Sequence, residues 1–342
     1  MGEANVAHYA GEPRTINLYI NAETADRIRS ALHDAPDPNA DPNGAIAAGL
    51  RAIVSNLSPA DLATIISITS DPNAPGVAIV RGLPVDLYPG PTPPDGRPSR
   101  IKSTCVSEAV LLGVAALLGS PFAYAEEKNG DLVSNIVPVR EKQLSHSNAG
   151  SRQPLGFHTE AAALRNAAPD YLLLLSIRPD HAVEAVTSTA DIRDAIVHLT
   201  SEEIELLRGP NFKLQIPESF AENGCAHIIH TPVITGPADT PQVTVNFDRM
   251  EGLHLHAANA LVALGRAFQM PGVLRETRMT QGVLAIIANR RAVHGRSKFT
   301  PRWDGIDRWL QRVYVSSSLW NLRQLAGPVP RVISIADYKE VA

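Results

Sequence analysis

The chain has 342 residues, 44% of them hydrophobic and 19% charged, which supplies a sizeable core and excludes the low-hydrophobicity composition of a disordered chain. A formal net charge of -4, with no block of five or more like charges, argues against a nucleic-acid partner. Two cysteines without a CxxC neighbour, no basic start followed by an apolar stretch, and no apolar run long enough to cross a bilayer argue against a disulfide framework, export or a membrane span, and fit a cytoplasmic protein.

Apolar residues recur at three- and four-residue spacing over Ala22 to Leu32, Ala45 to Asn56 and Ala60 to Ile68, predicting three helices, the last capped by Ser58 with Pro59 in its first turn. Loops rich in Pro, Asp and Asn or Gly follow at Asp34 to Asn43 and Leu87 to Arg100, with a short strand, Gly76 to Arg81, between them. An apolar helix is expected over Ser107 to Leu118. From about Val133 the pattern changes to short strands at Asn135 to Val139, Tyr171 to Ile177, Lys213 to Ile216, Thr231 to Ile234, Val243 to Phe247, Val283 to Ile287 and Arg312 to Ser316, broken by one helix, Glu251 to Phe268. This favours a sandwich or barrel over a doubly wound sheet. The chain is read as one domain over 1–342, helix-rich to residue 125 and mainly β over 126–325.

The sharpest local signal is Gly156-Phe157-His158-Thr159-Glu160. In an extended segment residues two apart share a face, so His158 and Glu160 can hold one ion while Thr159 points away. With 11 histidines in the chain this spacing is unspecific alone. A third ligand is offered by His294, just after the apolar run Val283 to Ile287. Two imidazoles and a carboxylate on one face leave positions open for a chelating co-substrate and dioxygen, the pattern of non-haem iron(II) oxygenases, whereas zinc prefers a closed tetrahedral set or a single open site. Arg308 lies 14 residues beyond His294 and Arg312 four further on; on a strand both share a face, and an arginine fork suits a carboxylate.

Together, HTE and the later run NRRAVHGRSKFTPRWDGIDRWLQRVYV make the chain similar, over roughly Val77 to Leu322, to the clavaminate synthase-like Fe(II)/2-oxoglutarate oxygenases, and most similar to the bacterial arginine, lysine and asparagine hydroxylases. The resemblance implies a double-stranded β-helix (jelly roll) with helices outside, Fe(II) as metal, 2-oxoglutarate and O2 as co-substrates, and a free polar or basic L-amino acid, lysine- or arginine-like, hydroxylated at its β or γ carbon in secondary metabolism. It also implies His158, Glu160 and His294 as metal ligands, Arg308 as the 2-oxoglutarate clamp with a hydroxyl near Thr187 assisting, and Arg312 as the substrate-carboxylate contact. Asn246 and Asp248 stand where arginine hydroxylases tend to show two acids, and the loop with Asn148 and Ser151 is expected to meet the substrate's amino group. The same chemistry on a carrier-bound or modified amino acid, and a non-catalytic metal-binding jelly roll, remain alternatives. His254 and His256, at the start of a helical pattern, diverge too far to share a metal, and neither cysteine has a cationic neighbourhood that would activate it.

Overall fold

A computed structural model describes residues 15–98, 101–216, 228–327 and 329–336. Its N-terminal part runs β1 (Ile16–Tyr19), α1 (Ala22–Ala31), α2 (Pro42–Asn56), α3 (Pro59–Ser70), β2 (Val77–Arg81), α4 (Val106–Leu118) and β3 (Ser120–Tyr124). The side chains of Asn21, Asp41 and Ser58 accept backbone N–H groups at the starts of α1, α2 and α3, and Pro42 and Pro59 occupy first-turn positions where a missing N–H costs nothing. Helix α4 borrows its cap: Cys105 makes no side-chain cap bond, and the buried Asp86 carboxylate accepts the N–H groups of Val106 and Ser107 instead. Helices α2 and α4 cross backbone to backbone, since a Cβ at Gly49 would lie 1.9 Å from Ala109 O and one at Gly113 2.4 Å from the Gly49 carbonyl carbon.

The chain continues with β4 (Ser134–Ile136), β5 (Leu155–His158), β6 (Tyr171–Arg178), β7 (Val186–Asp191), α5 (Ile192–Ala195) and α6 (Ser201–Arg208), then β8 (Phe212–Gln215), β9 (Ile228–Thr231), β10 (Ile234–Thr235), β11 (Gln242–Val243), β12 (Met250–Gly252) and α7 (Leu255–Ala267). Last come β13 (Arg275–Arg278), β14 (Leu284–Ala288), β15 (Ala292–Arg296), β16 (Trp309–Ser316) and β17 (Val332–Ile333). Three expectations need correction. The strand expected to Phe247 stops at Val243 and leaves Asn246 as an isolated bridge to His158. The helix expected from Glu251 begins only at Leu255, because Met250–Gly252 pairs with β8. The strand expected over Thr231 to Ile234 is divided between the end of β9 and the start of β10.

Two sheets carry the architecture. One, in the order β1-β2-β14-β6-β16-β3-β17 with β4 also on β16, mixes N-terminal and C-terminal strands; the other runs β13-β7-β15-β5. Alternation along the central strands of the larger sheet separates two cores. Leu173, Leu175, Leu284, Ile286, Val313 and Val315 pack against the α1–α4 layer. Their neighbours Leu172, Leu174, Ala285, Ile287, Leu310 and Tyr314 pack in a separate cluster with Ala292 of β15. The outer parity of the smaller sheet, Ala190 and Val293, is covered by Phe212, Leu264 and Phe268. The helices expected as an N-terminal layer therefore cover one face of the larger sheet, and β1, β2 and β3 are part of that sheet.

Candidate active site

The inner parity of the smaller sheet brings the candidate metal ligands together. Strands β5 and β15 are antiparallel with His158 directly opposite His294, and the two imidazole centroids are 4.2 Å apart. Glu160 follows the end of β5, where its N–H donates to Asn289 Oδ1 at 2.7 Å and Asn289 Nδ2 donates back to Glu160 O at 3.0 Å. That clip brings Glu160 Oε2 to 3.7 Å from His294 Nε2. One donor atom from each of the three residues lies within 4.8 Å of the others. Thr159 points away, its hydroxyl on Val245 O, as the two-residue alternation requires.

The protonation states fit a divalent metal. His158 Nδ1 is 2.9 Å from Gly156 O; a proton held there leaves Nε2 as the donor atom, the usual outer support of a ligating imidazole. Burial, then His158 and Arg312, push the His294 imidazole well below its usual range, so it is neutral and free to bind metal. Two imidazoles and one carboxylate are the donor set that suits iron(II) with open positions.

Arg312 and Arg308 lie on the same parity of the β16 run as Leu310 and Tyr314, whose side chains face inward. Arg312, 4% exposed, donates to Glu127 Oε2 at 2.9 Å and Glu160 Oε1 at 3.3 Å, and its guanidinium sits 4.3 Å from the Tyr314 ring centroid. Burial alone would lower it, but Tyr314, Glu127 and Glu160 hold Arg312 above its usual value and firmly charged. The Tyr314 hydroxyl is 2.9 Å from both Glu127 Oε2 and Glu160 Oε1, and its own pKa is driven well up by burial.

Arg308 differs in having no carboxylate against it among the described residues. It is buried, 5.6 Å from the Phe299 ring centroid, and burial followed by the charge of Arg296 pushes it down to about 9. Thr187 faces Arg296 across the β7–β15 pair, and Thr189, two residues on, faces His294. The turn before Arg308 is braced: the Asp307 carboxylate accepts the N–H groups of Arg302 and Trp303, Thr92 donates to Asp307 O at 2.6 Å, and His181 Nε2 lies 2.9 Å from Asp304.

Of the remaining expected residues, Asn246 and Asp248 contact β5, whereas Ser151 and Asn148 touch none of the triad among the described residues. Asn246 bridges to His158, and the exposed Asp248 accepts the Gly156 N–H at 3.1 Å. A Cβ at Gly156 would fall 2.8 Å from Asp248 Oδ1, so only glycine lets that carboxylate sit against β5. Ser151 is buried, its carbonyl accepting the Phe299 N–H at 2.8 Å, whereas Asn148 is exposed and touches none of the triad among the described residues. His254 caps α7, accepting the Ala257 N–H, and its ring centroid lies 6.2 Å from that of His256. Cys105 is a buried-side thiol pushed up to about 11 by burial, and Cys225 and His227 lie outside the described residues. Sequence reasoning missed Glu127 and Tyr314; the second follows from parity with Arg312, whereas nothing local marks Glu127, which precedes a 3-10 turn far from the triad in sequence.

Residues 73–314 match the family model described as taurine catabolism dioxygenase TauD, TfdA family. The chain belongs to this family. It is 37% identical over 255 residues to an L-asparagine oxygenase of Streptomyces coelicolor, covering 75% of each chain, and 30% identical over 264 residues to an L-lysine 3-hydroxylase of Catenulispora acidiphila, covering 76% of this chain and 72% of that one. Among solved structures it is similar to an asparagine oxygenase in complex with Fe(II), 2S,3S-3-hydroxyasparagine and succinate (TM-score 0.83, 31% identity, 93% of this chain and 99% of that chain). It is also similar to the non-heme iron oxygenase OrfP in complex with Fe and alpha-ketoglutaric acid (TM-score 0.80, 27% identity, 93% and 99%). This dioxygenase is thus an Fe(II)/2-oxoglutarate enzyme, and the family resemblance read from its two motifs holds.

Proposed function

We propose that the protein hydroxylates a free polar L-amino acid at its β or γ carbon, with His158, Glu160 and His294 holding Fe(II) and Arg308 and Thr187 receiving the distal carboxylate of 2-oxoglutarate. The bound metal with 2-oxoglutarate and dioxygen supplies the oxidising power for C–H hydroxylation, with succinate and carbon dioxide as co-products. The carrying observation is the Arg312–Glu127 pair set against Glu160: a buried guanidinium and a half-buried carboxylate beside the triad match the carboxylate and ammonium of an α-amino acid. These two groups orient the backbone of the substrate, and Tyr314 keeps them in register. At the rim, Asp248 and Asn246 receive the side chain, with Ser151 and Asn148 in the loop that closes above it. One acid with one amide suits a short amide side chain such as that of asparagine ahead of the long cations of lysine or arginine, and the asparagine oxygenase relative at 37% identity supports that order. We read the paired sheets as a double-stranded β-helix and residues 1–342 as one cytoplasmic catalytic unit.

The test is succinate formation and product mass from anaerobically iron-loaded protein given 2-oxoglutarate, oxygen and a panel of free L-amino acids beside their N-acetyl and thioester forms. Asparagine should stimulate succinate most and gain one oxygen, while Arg312→Ala should raise the amino-acid KM by roughly ten- to hundred-fold. Turnover only with the thioester would overturn the free-acid reading, since that form has no carboxylate for Arg312.

A further inference from the structure

Arg296 is an anomaly that the oxygenase reading has not used. It ends β15 two residues past His294, on the same parity, and is only 8% exposed. Buried guanidinium groups are normally paired with a carboxylate. Arg296 instead donates only to two backbone carbonyls among the described residues, Ser297 O at 3.1 Å and Gln153 O at 3.3 Å. Its guanidinium sits 5.2 Å from the Phe299 ring centroid, and that of Arg308 sits 5.6 Å from the same ring. Two buried cations thus share one aromatic ring, with Thr187 directly across the strand pair from Arg296. The Asp180 carboxylate accepts the N–H groups of Glu184 and Ala185 and forms no ion pair with either arginine among the described residues, although its charge favours the cation of Arg308. Such a concentration of positive charge is costly in the ligand-free fold and is relieved when an anion binds between the two groups.

We propose that Arg296 is a second cationic anchor for the distal carboxylate of 2-oxoglutarate, acting beside Arg308 and making the site selective for 2-oxo acids that end in a second carboxylate. The proposal rests on the oxygenase reading. The β15 strand thereby carries a metal ligand and a co-substrate anchor on one face, so that the two ends of one co-substrate are measured off along a single strand. At 3.3–3.4 Å per residue, positions 294 and 296 are separated by roughly 7 Å, a span suited to a five-carbon diacid.

The experiment is anaerobic calorimetry of Fe(II)-loaded protein titrated with 2-oxoglutarate and, separately, with 2-oxopentanoate, which has the same keto-acid end and no distal carboxylate. Arg296→Met should weaken 2-oxoglutarate by on the order of ten- to hundred-fold and leave 2-oxopentanoate unchanged, with Arg296→Lys recovering most of the loss. The double variant with Arg308→Met should lose less than the product of the two single effects, because both groups would bind one carboxylate. Under turnover, the KM for 2-oxoglutarate should rise while the KM for the amino acid stays. Equal loss for both oxo acids, or no loss for either, would overturn the proposal and leave Arg296 as a strap on Gln153. Should Arg296→Met fail to fold, Arg296→Gln, matched to the parent in iron content, carries the same comparison. A parent protein that binds iron but neither oxo acid would overturn the oxygenase reading together with this inference.

Discussion

At Arg308 a guanidinium is held in the interior with a charged neighbour of the same sign, and this is where function and stability oppose each other most directly. Burial and Arg296 lower its pKa to about 9, which means that the charged form is disfavoured in the free protein and is relieved when a carboxylate arrives. Arg308→Met should therefore raise the melting temperature of the ligand-free protein, by the equivalent of on the order of 1–4 kcal/mol, while weakening 2-oxoglutarate binding by on the order of a hundredfold. Calorimetric unfolding in the absence of ligand checks the first effect; a lower midpoint would mean that Arg308 is already compensated in the free fold. The pH dependence follows the same sign. With the Arg308 cation as the proposed anchor of the diacid, affinity for 2-oxoglutarate should hold between pH 7 and 8.5 and fall as the pH rises past about 9, a trend that a titration series at constant ionic strength would expose.

Among the elements, α4 depends on groups contributed by other segments. Its N-terminus is capped by Asp86, whose burial would raise its pKa but whose ion pair with Lys102 at 2.7 Å, together with bonds from Thr104 and Ser107, holds it below the usual carboxylate value. The stability this contributes is present above pH about 4 and is lost as the pH falls through the lowered folded value. Farther along, α4 meets α2 through Gly113 and Gly49 with no room for a side chain on either. Gly49→Ala should lower the unfolding free energy measured by chemical denaturation by about 1–3 kcal/mol, because the new Cβ would have to displace the Ala109 carbonyl. The helix pair lies on the sheet face opposite the metal site, so the KM for 2-oxoglutarate should stay unchanged in the surviving folded fraction. A specific rise in that KM would show instead that the helix layer positions β16.

For the whole molecule, the site joins two sheets: the triad comes from β5, the turn after it and β15, while Arg312 reaches it from β16 of the larger sheet. Ligands that bind there should tie the sheets together and stabilise the entire fold. Anaerobic Fe(II) with 2-oxoglutarate, each at a hundred times its dissociation constant, should add about 2.7 kcal/mol per ligand and raise the melting temperature by several degrees. His294→Ala should lose the metal-dependent increment. An unshifted midpoint in the parent would argue that the two sheets are already rigidly docked without ligand, or that the metal does not bind.

What the linear sequence determined was local chemistry. HTE could be read because alternation in an extended segment is independent of the rest of the fold, and Arg308 and Arg312 could be placed on one face for the same reason. Helices α1 to α4 were legible because their apolar spacing is carried within a few residues, as are the caps of α1 to α3, for example at Ser58 and Pro59. What only the tertiary structure decided was pairing over distance. The register that sets His294 opposite His158, the Asn289 clip on Glu160, and the arrival of Glu127 at Arg312 all join residues more than a hundred positions apart. The strands β3, β7, β13 and β15 were equally hidden, since a short strand acquires its identity from its partners: β15 is defined by β7 and β5, and its central side chains by the cavity they enclose. The same reason separates the two buried arginines, Arg296 and Arg308. They stand 12 positions apart in the chain, and only the fold brings them onto one ring of Phe299, with charge that a ligand must answer.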